Sequence, residues 1–210
     1  MISKLRASVK PIANILAKPF IELKMDPNLI SVLGLVFAII GAYFVSQHSW
    51  LWAFVFFVLA PLMDLIDGTV ARALNLRSNW GNYFETMIDK FVDFAMLGSF
   101  ALIPSLTIPA VLALGFSAIS SYAKPRVALI IVTDNHDWPA IGEHADKLII
   151  VLVALFLAAL GINIIGVLLY LIALISAIGA IQRMQYAKKL IEQAEKNGNL
   201  LPYIKKRKER

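Results

Sequence analysis

Long apolar runs, repeated along the chain, constrain the fold of this sequence more than any other feature. A helix needs about 20 mostly apolar residues to cross a bilayer. Candidate runs lie roughly at 29–46, 50–72, 82–103, 107–125, 147–162 and 164–188. Hydrophobic residues make up 59% of the chain and charged residues 16%, against about 45–50% and 25% in soluble domains. The sequence therefore predicts an all-α integral membrane protein with six transmembrane helices.

Basic residues are distributed unevenly over the connections between these runs. The alternate connections at 47–49, 105–107 and 161–163 contain neither Lys nor Arg, so all 20 basic residues of the chain lie on or near the other side. Cytoplasmic segments of membrane proteins carry the excess of Lys and Arg. We therefore expect a multi-pass protein of the cell membrane with both termini in the cytoplasm.

The two ends of the chain differ from its apolar middle. Residues 1–25 alternate apolar and basic side chains near helical spacing, which predicts an amphipathic helix in the membrane interface; a solvated basic helix is the alternative, and Pro11 weakens both. The segment lacks the compact apolar core and cleavage site of a signal peptide. Residues 26–190 are expected to form one membrane domain and residues 191–210 a basic cytoplasmic tail. The net charge of +6 favours contact with anionic lipid or phosphorylated substrates, and no nucleic acid is expected because the aromatic residues lie in the apolar runs.

Five of the 14 acidic residues lie in one short stretch, at Asp64, Asp67, Glu85, Asp89 and Asp93. Spacings of three and four residues place the first two on one helix face and the last three on another. The two helices are consecutive and joined by a short cytoplasmic loop, so they run antiparallel. The first four carboxylates are therefore expected at similar depth, just inside the cytoplasmic surface.

Carboxylates gathered at one depth repel one another and are costly to desolvate. Lys90 and Arg72 could offset two of the charges, which leaves a salt-bridged set of helix ends as the structural alternative. Oxygen ligands in a chain without cysteine suit hard cations such as Mg²⁺, Mn²⁺ or Ca²⁺. Paired cations of this kind commonly clamp phosphate oxygens during displacement at phosphorus. The sequence therefore predicts a metal site formed by Asp64, Asp67, Glu85 and Asp89.

These carboxylates belong to a longer motif that also fixes small residues. The motif reads Asp64-x2-Asp67-Gly68-x2-Ala71-Arg72-x8-Gly81-x3-Glu85-x3-Asp89. It resembles the signature of the CDP-alcohol phosphotransferase family, D-x2-D-G-x2-A-R-x8-G-x3-D-x3-D, and departs from it only at Glu85, where the family has aspartate. Glutamate keeps the carboxylate on a side chain one methylene longer, so activity is expected. A catalytically inactive homologue is the alternative that Glu85 leaves open.

The resemblance implies a six-helix enzyme that acts on a CDP-linked lipid, CDP-diacylglycerol or CDP-archaeol. It implies that an alcohol attacks the lipid-side phosphorus and that CMP is the leaving group. It implies two divalent cations, Mg²⁺ or Mn²⁺, on the four carboxylates, with Asp89 also acting as general base. It also implies a CDP pocket lined by Gly68, Ala71, Arg72 and Gly81. Asp93 lies beyond the motif and is interpreted as a supporting residue or the partner of a nearby cation. A homodimer is expected on the same resemblance.

Four further basic residues are expected at the cytoplasmic ends of the last three spans: Lys124, Arg126, Lys147 and Arg183. Cations in a membrane cavity are costly unless they meet an anion, which favours a phosphorylated acceptor; ordinary flanking charge is the alternative. The segments PNLISVLGL, SYAKPR, IGEHADKLII and IQRMQYAKK are similar to the family's archaetidylinositol-phosphate and phosphatidylinositol-phosphate synthases, although Lys147 stands where that branch often has Arg. This resemblance implies inositol 1-phosphate as acceptor, with its phosphate on these four residues. Glycerol 3-phosphate, as used by a phosphatidylglycerophosphate synthase, remains the close alternative.

Two other interpretations of the charged residues remain. His136 and His144 could bind zinc, but their eight-residue spacing in a loop containing proline favours a solvated loop that closes over substrate. An ion transporter would place buried acids near the bilayer midplane. The acids here cluster at the cytoplasmic end, so no path across the membrane is visible.

Overall fold

The computed structural model describes residues 2–132 and 138–201, and in this part of the chain the structure is helical. The helices are α1 (Ile2–Glu22), α2 (Pro27–Ser46), α3 (Trp50–Ala73), α4 (Asn79–Ser99), α5 (Thr107–Val127), α6 (His144–Ala159) and α7 (Ile165–Lys196). Two short 3₁₀ turns, Phe100–Leu102 and Pro104–Leu106, join α4 to α5. A single antiparallel bridge links Ile131 to Leu200. The predicted all-α class is confirmed.

Every predicted apolar run contains a helix, but not all of these helices are long and apolar enough to cross a membrane. Four stretches of the described chain are long and apolar enough to do so, namely Pro27–Ser46, Trp50–Ala73, Pro104–Val127 and Ile165–Lys196. The other two predicted spans are weaker: α4 carries four charged side chains and α6 is only 16 residues long. The structure thus supports four candidate spans, and the count of six stays a prediction.

Glycines let α2 approach α3 closely. A Cβ on Gly34 would lie 3.0 Å from the carbonyl oxygen of Ala60, and one on Gly41 would lie 2.3 Å from a ring carbon of Phe57. This contact belongs to a larger core that includes the fully buried Phe57 and Leu155. Because α2 also packs against α4, whereas α3 and α4 touch only slightly, α2 lies between the two acidic helices. The two consecutive acidic helices are therefore held together mainly by their shared contacts with α2.

The N-terminal helix α1 is continuous through both of its prolines, and it packs against α3. Ala17 is buried in a small cluster with Ile30 and Met63. On another face, Ile12 and Ile15 are 55% and 64% exposed. The predicted helix is present, and its exposed apolar face suits an interfacial position.

The last helix extends beyond its predicted end at 188. Its 32 residues span roughly 48 Å, more than the ~30 Å hydrocarbon core of a bilayer. The added turns run into the predicted tail, and Ala187 joins a small core there with Val127, Ile131 and Trp138. This core braces the connection between α5 and α6. Beyond α7, the tail pairs with Ile131 through Leu200. The basic run further on, within residues 202–210, lies outside the described residues.

Candidate metal and substrate site

Three carboxylates from α3 and α4 converge at one point. One oxygen from each of Asp64, Asp67 and Glu85 lies within 4.8 Å of the others. Asp67 is only 2% exposed, Glu85 is half-buried and Asp64 faces solvent. The group therefore offers oxygen ligands at the spacing a cation requires, partly sheltered from water.

The two oxygens of Asp67 have different surroundings. Oδ2 accepts a hydrogen bond from the hydroxyl of Ser31 on α2. Oδ1 is buried and has no hydrogen-bond partner in the part of the chain that the structure describes. An unsatisfied buried polar atom costs about 1–3 kcal/mol, and more when it is charged. A cation bound at Oδ1 would remove this cost, so the residues present fit a divalent ion with oxygen ligands.

Asp89, the fourth predicted ligand, lies near this group but not in it. It is one turn beyond Glu85 on α4, is half-buried, and borders a narrow cavity of about 20 Å³ that Asp64, Asp67 and Glu85 also line. A cavity of that size holds about one water molecule. The structure thus brings the four predicted carboxylates to one cavity, with three of them in mutual ligand range.

A much larger cavity, of about 670 Å³, opens beside the carboxylates. Its volume is in the range of about 300–1,000 Å³ that is usual for small-molecule sites. Its walls include all four residues predicted for the CDP pocket, Gly68, Ala71, Arg72 and Gly81. Asp67 and Glu85 line it as well, so the cavity and the carboxylate group share a wall.

Local structure explains why this cavity suits an anion. Ser78 caps the start of α4 by accepting a hydrogen bond from the backbone N–H of Gly81, at 2.9 Å. Asp26 caps α2 by accepting from the N–H of Asn28, at 2.8 Å. All four residues line the cavity, so two helix N-termini open onto it. Helix N-termini carry partial positive charge and free N–H groups that favour phosphate.

Sequence analysis missed several residues of this cavity. Asn28 and Ser31 from α2, together with Arg77 and Asn82 from the α3–α4 region, line it. Asn28 and Ser31 lie in the segment PNLIS, in which the sequence alone shows only a similarity to the family. The helix-capping pattern at Asp26-Pro27 was the available signal, since it places a helix N-terminus there.

Asp93 lies outside the ligand group and contacts cations. Its Oδ2 pairs with Lys90 Nζ at 3.4 Å, and its Oδ1 contacts His144 Nδ1 at 2.8 Å. The second contact ties α4 to the first residue of α6. His144 is therefore not a freely solvated loop residue as predicted, because it forms the start of α6 and contacts Asp93. His136 lies outside the described residues.

Two of the four predicted acceptor residues come together near α4. Lys147 is 5% exposed; the nearby Asp93 carboxylate attracts its ammonium group, whereas the nearby Arg183 guanidinium repels it. Arg183 donates through Nη1 to Ser120 Oγ and to the carbonyl oxygen of Ile141, at 3.3 Å.

The other two predicted acceptor residues lie in the last turn of α5. Lys124 is half-buried and stands one turn beyond Ser120, on the face that meets Arg183. Arg126 is exposed. Lys124 therefore lies on the same face of α5 as Ser120, which Arg183 contacts, and Arg126 lies at the surface.

Comparisons with known proteins agree with this geometry. The family model for CDP-alcohol phosphatidyltransferases matches residues 24–179. The chain is 28% identical over 196 residues to archaetidylinositol phosphate synthase of Pyrococcus horikoshii, covering 91% of this chain and 99% of that relative. It is 25% identical over 209 residues to phosphatidylinositol phosphate synthase of Cutibacterium acnes, covering 91% and 100%.

Two solved structures share the fold. The chain matches Mycobacterium tuberculosis phosphatidylinositol phosphate synthase with CDP-DAG bound at a TM-score of 0.72 and 21% identity, covering 84% of this chain and 94% of that chain. The same enzyme in complex with manganese and citrate matches at a TM-score of 0.72 and 19% identity, covering 84% and 88%. These matches show a common fold.

Proposed function

The chain belongs to the CDP-alcohol phosphatidyltransferase family, and from this premise we propose that it transfers a lipid phosphate group from a CDP-linked lipid to inositol 1-phosphate. It is a multi-pass membrane enzyme of phospholipid biosynthesis. The donor is CDP-diacylglycerol or CDP-archaeol, and CMP is the leaving group. Relatives that cover nearly the whole chain are named for inositol phosphate products, which supports this acceptor.

The observation that carries the proposal is the wall shared by the carboxylate group and the large cavity. Asp67 and Glu85 belong both to the ligand group and to the lining of the 670 Å³ cavity. A CDP group in the cavity therefore presents its pyrophosphate to the carboxylate group.

The carboxylate group and the pyrophosphate are both negatively charged and would repel each other without cations. The family requires divalent cations. We assign two such ions, Mg²⁺ or Mn²⁺, to Asp64, Asp67, Glu85 and Asp89. When bound, they neutralise the carboxylates and stabilise charge on the phosphate oxygens. The unpaired Oδ1 of Asp67 and the manganese in the M. tuberculosis enzyme both support this assignment.

We assign CDP binding to Gly68, Ala71, Arg72 and Gly81. The Cβ that Gly68 lacks would lie 3.4 Å from Nη1 of Arg72, so this glycine leaves room for the guanidinium at the cavity wall. Arg72 Nη2 also donates to Thr69 Oγ1 at 3.0 Å, which directs it along α3. A guanidinium held in this way suits a phosphate oxygen.

Asp89 is assigned the role of general base. The acceptor hydroxyl gives its proton to Asp89, its oxygen bonds to the lipid-side phosphorus, and the bond from that phosphorus to the CMP oxygen breaks. Asp89 borders the narrow cavity with the other carboxylates yet stands apart from the three-residue ligand group. A carboxylate next to the ligand group but outside its three-residue core suits a general base for the acceptor hydroxyl.

One buried lysine and a half-buried arginine support a phosphorylated acceptor. Lys147 is 5% exposed, and no hydrogen bond to its ammonium group is found among the described residues. Arg183 uses only Nη1 in its contacts with those residues, which leaves Nη2 and Nε for an anion. We assign the acceptor phosphate to Lys147 and Arg183 together with Lys124 and Arg126.

The arrangement in the membrane is also a proposal. We infer six spans with α1 in the interface, and with both termini and the site in the cytoplasm. The division into 1–25, 26–190 and 191–210 follows from that arrangement, as does the contact of the enzyme with the lipid bilayer. The homodimer that the resemblance implies is proposed on that basis alone.

An acceptor panel tests the proposed function. Purified protein with Mg²⁺ or Mn²⁺ is incubated with CDP-diacylglycerol or CDP-archaeol and with inositol 1-phosphate, glycerol 3-phosphate, serine or free inositol, and CMP is measured. We expect CMP release with inositol 1-phosphate. Release with glycerol 3-phosphate instead would identify a phosphatidylglycerophosphate synthase, and no release with any acceptor would overturn the assigned activity.

A further inference from the structure

The segment that leads into α6 contacts the acceptor side of the site through its backbone. The N–H of Ile141 donates to Gln182 Oε1 at 2.9 Å, and its carbonyl oxygen accepts from Arg183 Nη1 at 3.3 Å. One residue of this segment thus bonds two consecutive side chains of α7. The direction of the Arg183 guanidinium depends on where this backbone lies.

Two glycines fix how closely the segment approaches α7. A Cβ on Gly179 would lie 2.2 Å from the carbonyl oxygen of Ile141, and one on Gly142 would lie 2.9 Å from the carbonyl oxygen of Ile175. Gly142 also has a φ of 72°, a conformation that other residues rarely adopt. The backbone of the segment therefore lies directly on the backbone of α7, with no room for a side chain between them.

Both ends of the segment are anchored. At its start, Trp138 is 7% exposed and packs edge-on against Tyr186 of α7, with ring centroids 5.3 Å apart. At its end, His144 Nδ1 contacts Asp93 Oδ1 at 2.8 Å. Asp93 lies one turn beyond Asp89 on α4, so the second anchor is on the helix that carries the proposed base.

We propose that residues 138–144 form a positioning strap that holds Arg183 at a fixed place relative to the α4 carboxylates and so determines affinity for the phosphorylated acceptor. This inference rests on the proposed function and adds to it a set of residues outside the ligand group and the CDP pocket. An arginine whose guanidinium is already directed loses less freedom when it binds an anion. The same strap sets where α6 begins, and thereby where Lys147 stands one turn later.

Two matched glycine substitutions test the strap. Gly179→Ala places a methyl group against the Ile141 carbonyl, whereas Gly115→Ala on α5 meets nothing within 4 Å. Because misplacement of a binding group by about 1 Å can cost up to about 100-fold, we expect Gly179→Ala to raise the acceptor KM about 10- to 100-fold. The KM for the CDP-linked lipid should stay unchanged, and Gly115→Ala should alter neither constant.

A second pair of variants tests the contact between His144 and Asp93. It also tests the strap if Gly179→Ala does not fold. His144→Ala removes the contact with Asp93, and His144→Asn restores a side-chain donor near the position of Nδ1. We expect the alanine variant to raise the acceptor KM and the asparagine variant to recover at least half of the lost affinity. Calorimetric titration of inositol 1-phosphate into each variant provides a readout that does not depend on turnover.

The outcomes distinguish a failure of the strap proposal from a failure of the proposed activity. If the wild type releases no CMP, the proposed function fails, whatever the variants do. If the wild type is active and Gly179→Ala behaves like Gly115→Ala, the strap is overturned. An equal rise in both KM values, or no difference between the two His144 variants, would also overturn it, because either result indicates general damage.

Discussion

At the scale of single residues, the site depends on the different surroundings of the two carboxylate oxygens of Asp67. Ser31 occupies one oxygen, and the other is buried without a partner in the described chain. This leaves a single direction in which the carboxylate can bind a cation. Partners that orient metal-binding carboxylates typically affect metal affinity by about 10- to 100-fold.

Substitution of Ser31 by alanine should therefore weaken metal binding more than catalysis at saturating metal. We expect the Mg²⁺ or Mn²⁺ concentration for half-maximal CMP release to rise about 10-fold or more. Ser46→Ala is the matched control, because Ser46 lies at the other end of α2, where its hydroxyl donates to the carbonyl oxygen of Tyr43 at 2.6 Å and accepts from Gln47 Nε2 at 3.3 Å. An unchanged metal dependence in Ser31→Ala would show that Asp67 does not need this hydrogen bond.

Glu85 is the residue at which the motif departs from the family. Its carboxylate already reaches the ligand group, so the extra methylene is accommodated in the structure. We expect Glu85→Gln to lower kcat at least about 100-fold, because a neutral amide binds a hard cation poorly, and Glu85→Asp to keep CMP release within about 10-fold of wild type. Activity that appears only in Glu85→Asp would mean that the natural chain is an inactive homologue.

At the scale of helices, α2 is the element that organises the site. It supplies Ser31 and Asn28, and its glycines allow α3 to come close. Sequence spacing predicted that the carboxylates of α3 and α4 share faces, because helical periodicity is local. It could not reveal that α2 lies between them, since the contact between Ser31 and Asp67 joins residues 36 apart in sequence and a serine in an apolar helix carries no distinctive signal.

The close packing of α2 on α3 gives a stability prediction. Gly41→Ala would place a methyl group 2.3 Å from the ring of Phe57, a side chain that is fully buried. Overpacking of this kind costs about 1–3 kcal/mol, so we expect a lower thermal unfolding temperature in detergent. Gly115→Ala, with open space around it, should not lower that temperature, and equal unfolding temperatures for the two variants would contradict the predicted packing.

The positions of the helices were predicted better than the number of membrane spans. The apolar runs located the helices α2 to α7, because hydrophobic length is read directly from the sequence. Length alone does not give the number of membrane spans, because α4 is long enough to span but combines apolar residues with Glu85, Asp89, Lys90 and Asp93. Charges needed by the site thus weaken the membrane signal of the helix that carries them.

At the scale of the whole molecule, the central question is which side of the membrane the site faces. The sequence has no cysteine, so a single introduced cysteine reports its own accessibility. Gln47, between α2 and α3, and Leu129, after α5, are both exposed and are expected on opposite sides. In intact cells a membrane-impermeant maleimide should label Gln47→Cys, whereas Leu129→Cys should react only after permeabilisation. Labelling of Leu129→Cys in intact cells would reverse the proposed orientation.

The most direct test of the account is the identity and ratio of the reaction products. Wild-type protein with CDP-diacylglycerol, inositol 1-phosphate and Mg²⁺ or Mn²⁺ is analysed by mass spectrometry for CMP and for phosphatidylinositol phosphate. The account predicts equimolar products from the wild type, and loss of both with a chelator or in Asp67→Asn. Products that persist in Asp67→Asn at wild-type rate, or CMP formed without the lipid product, would contradict it.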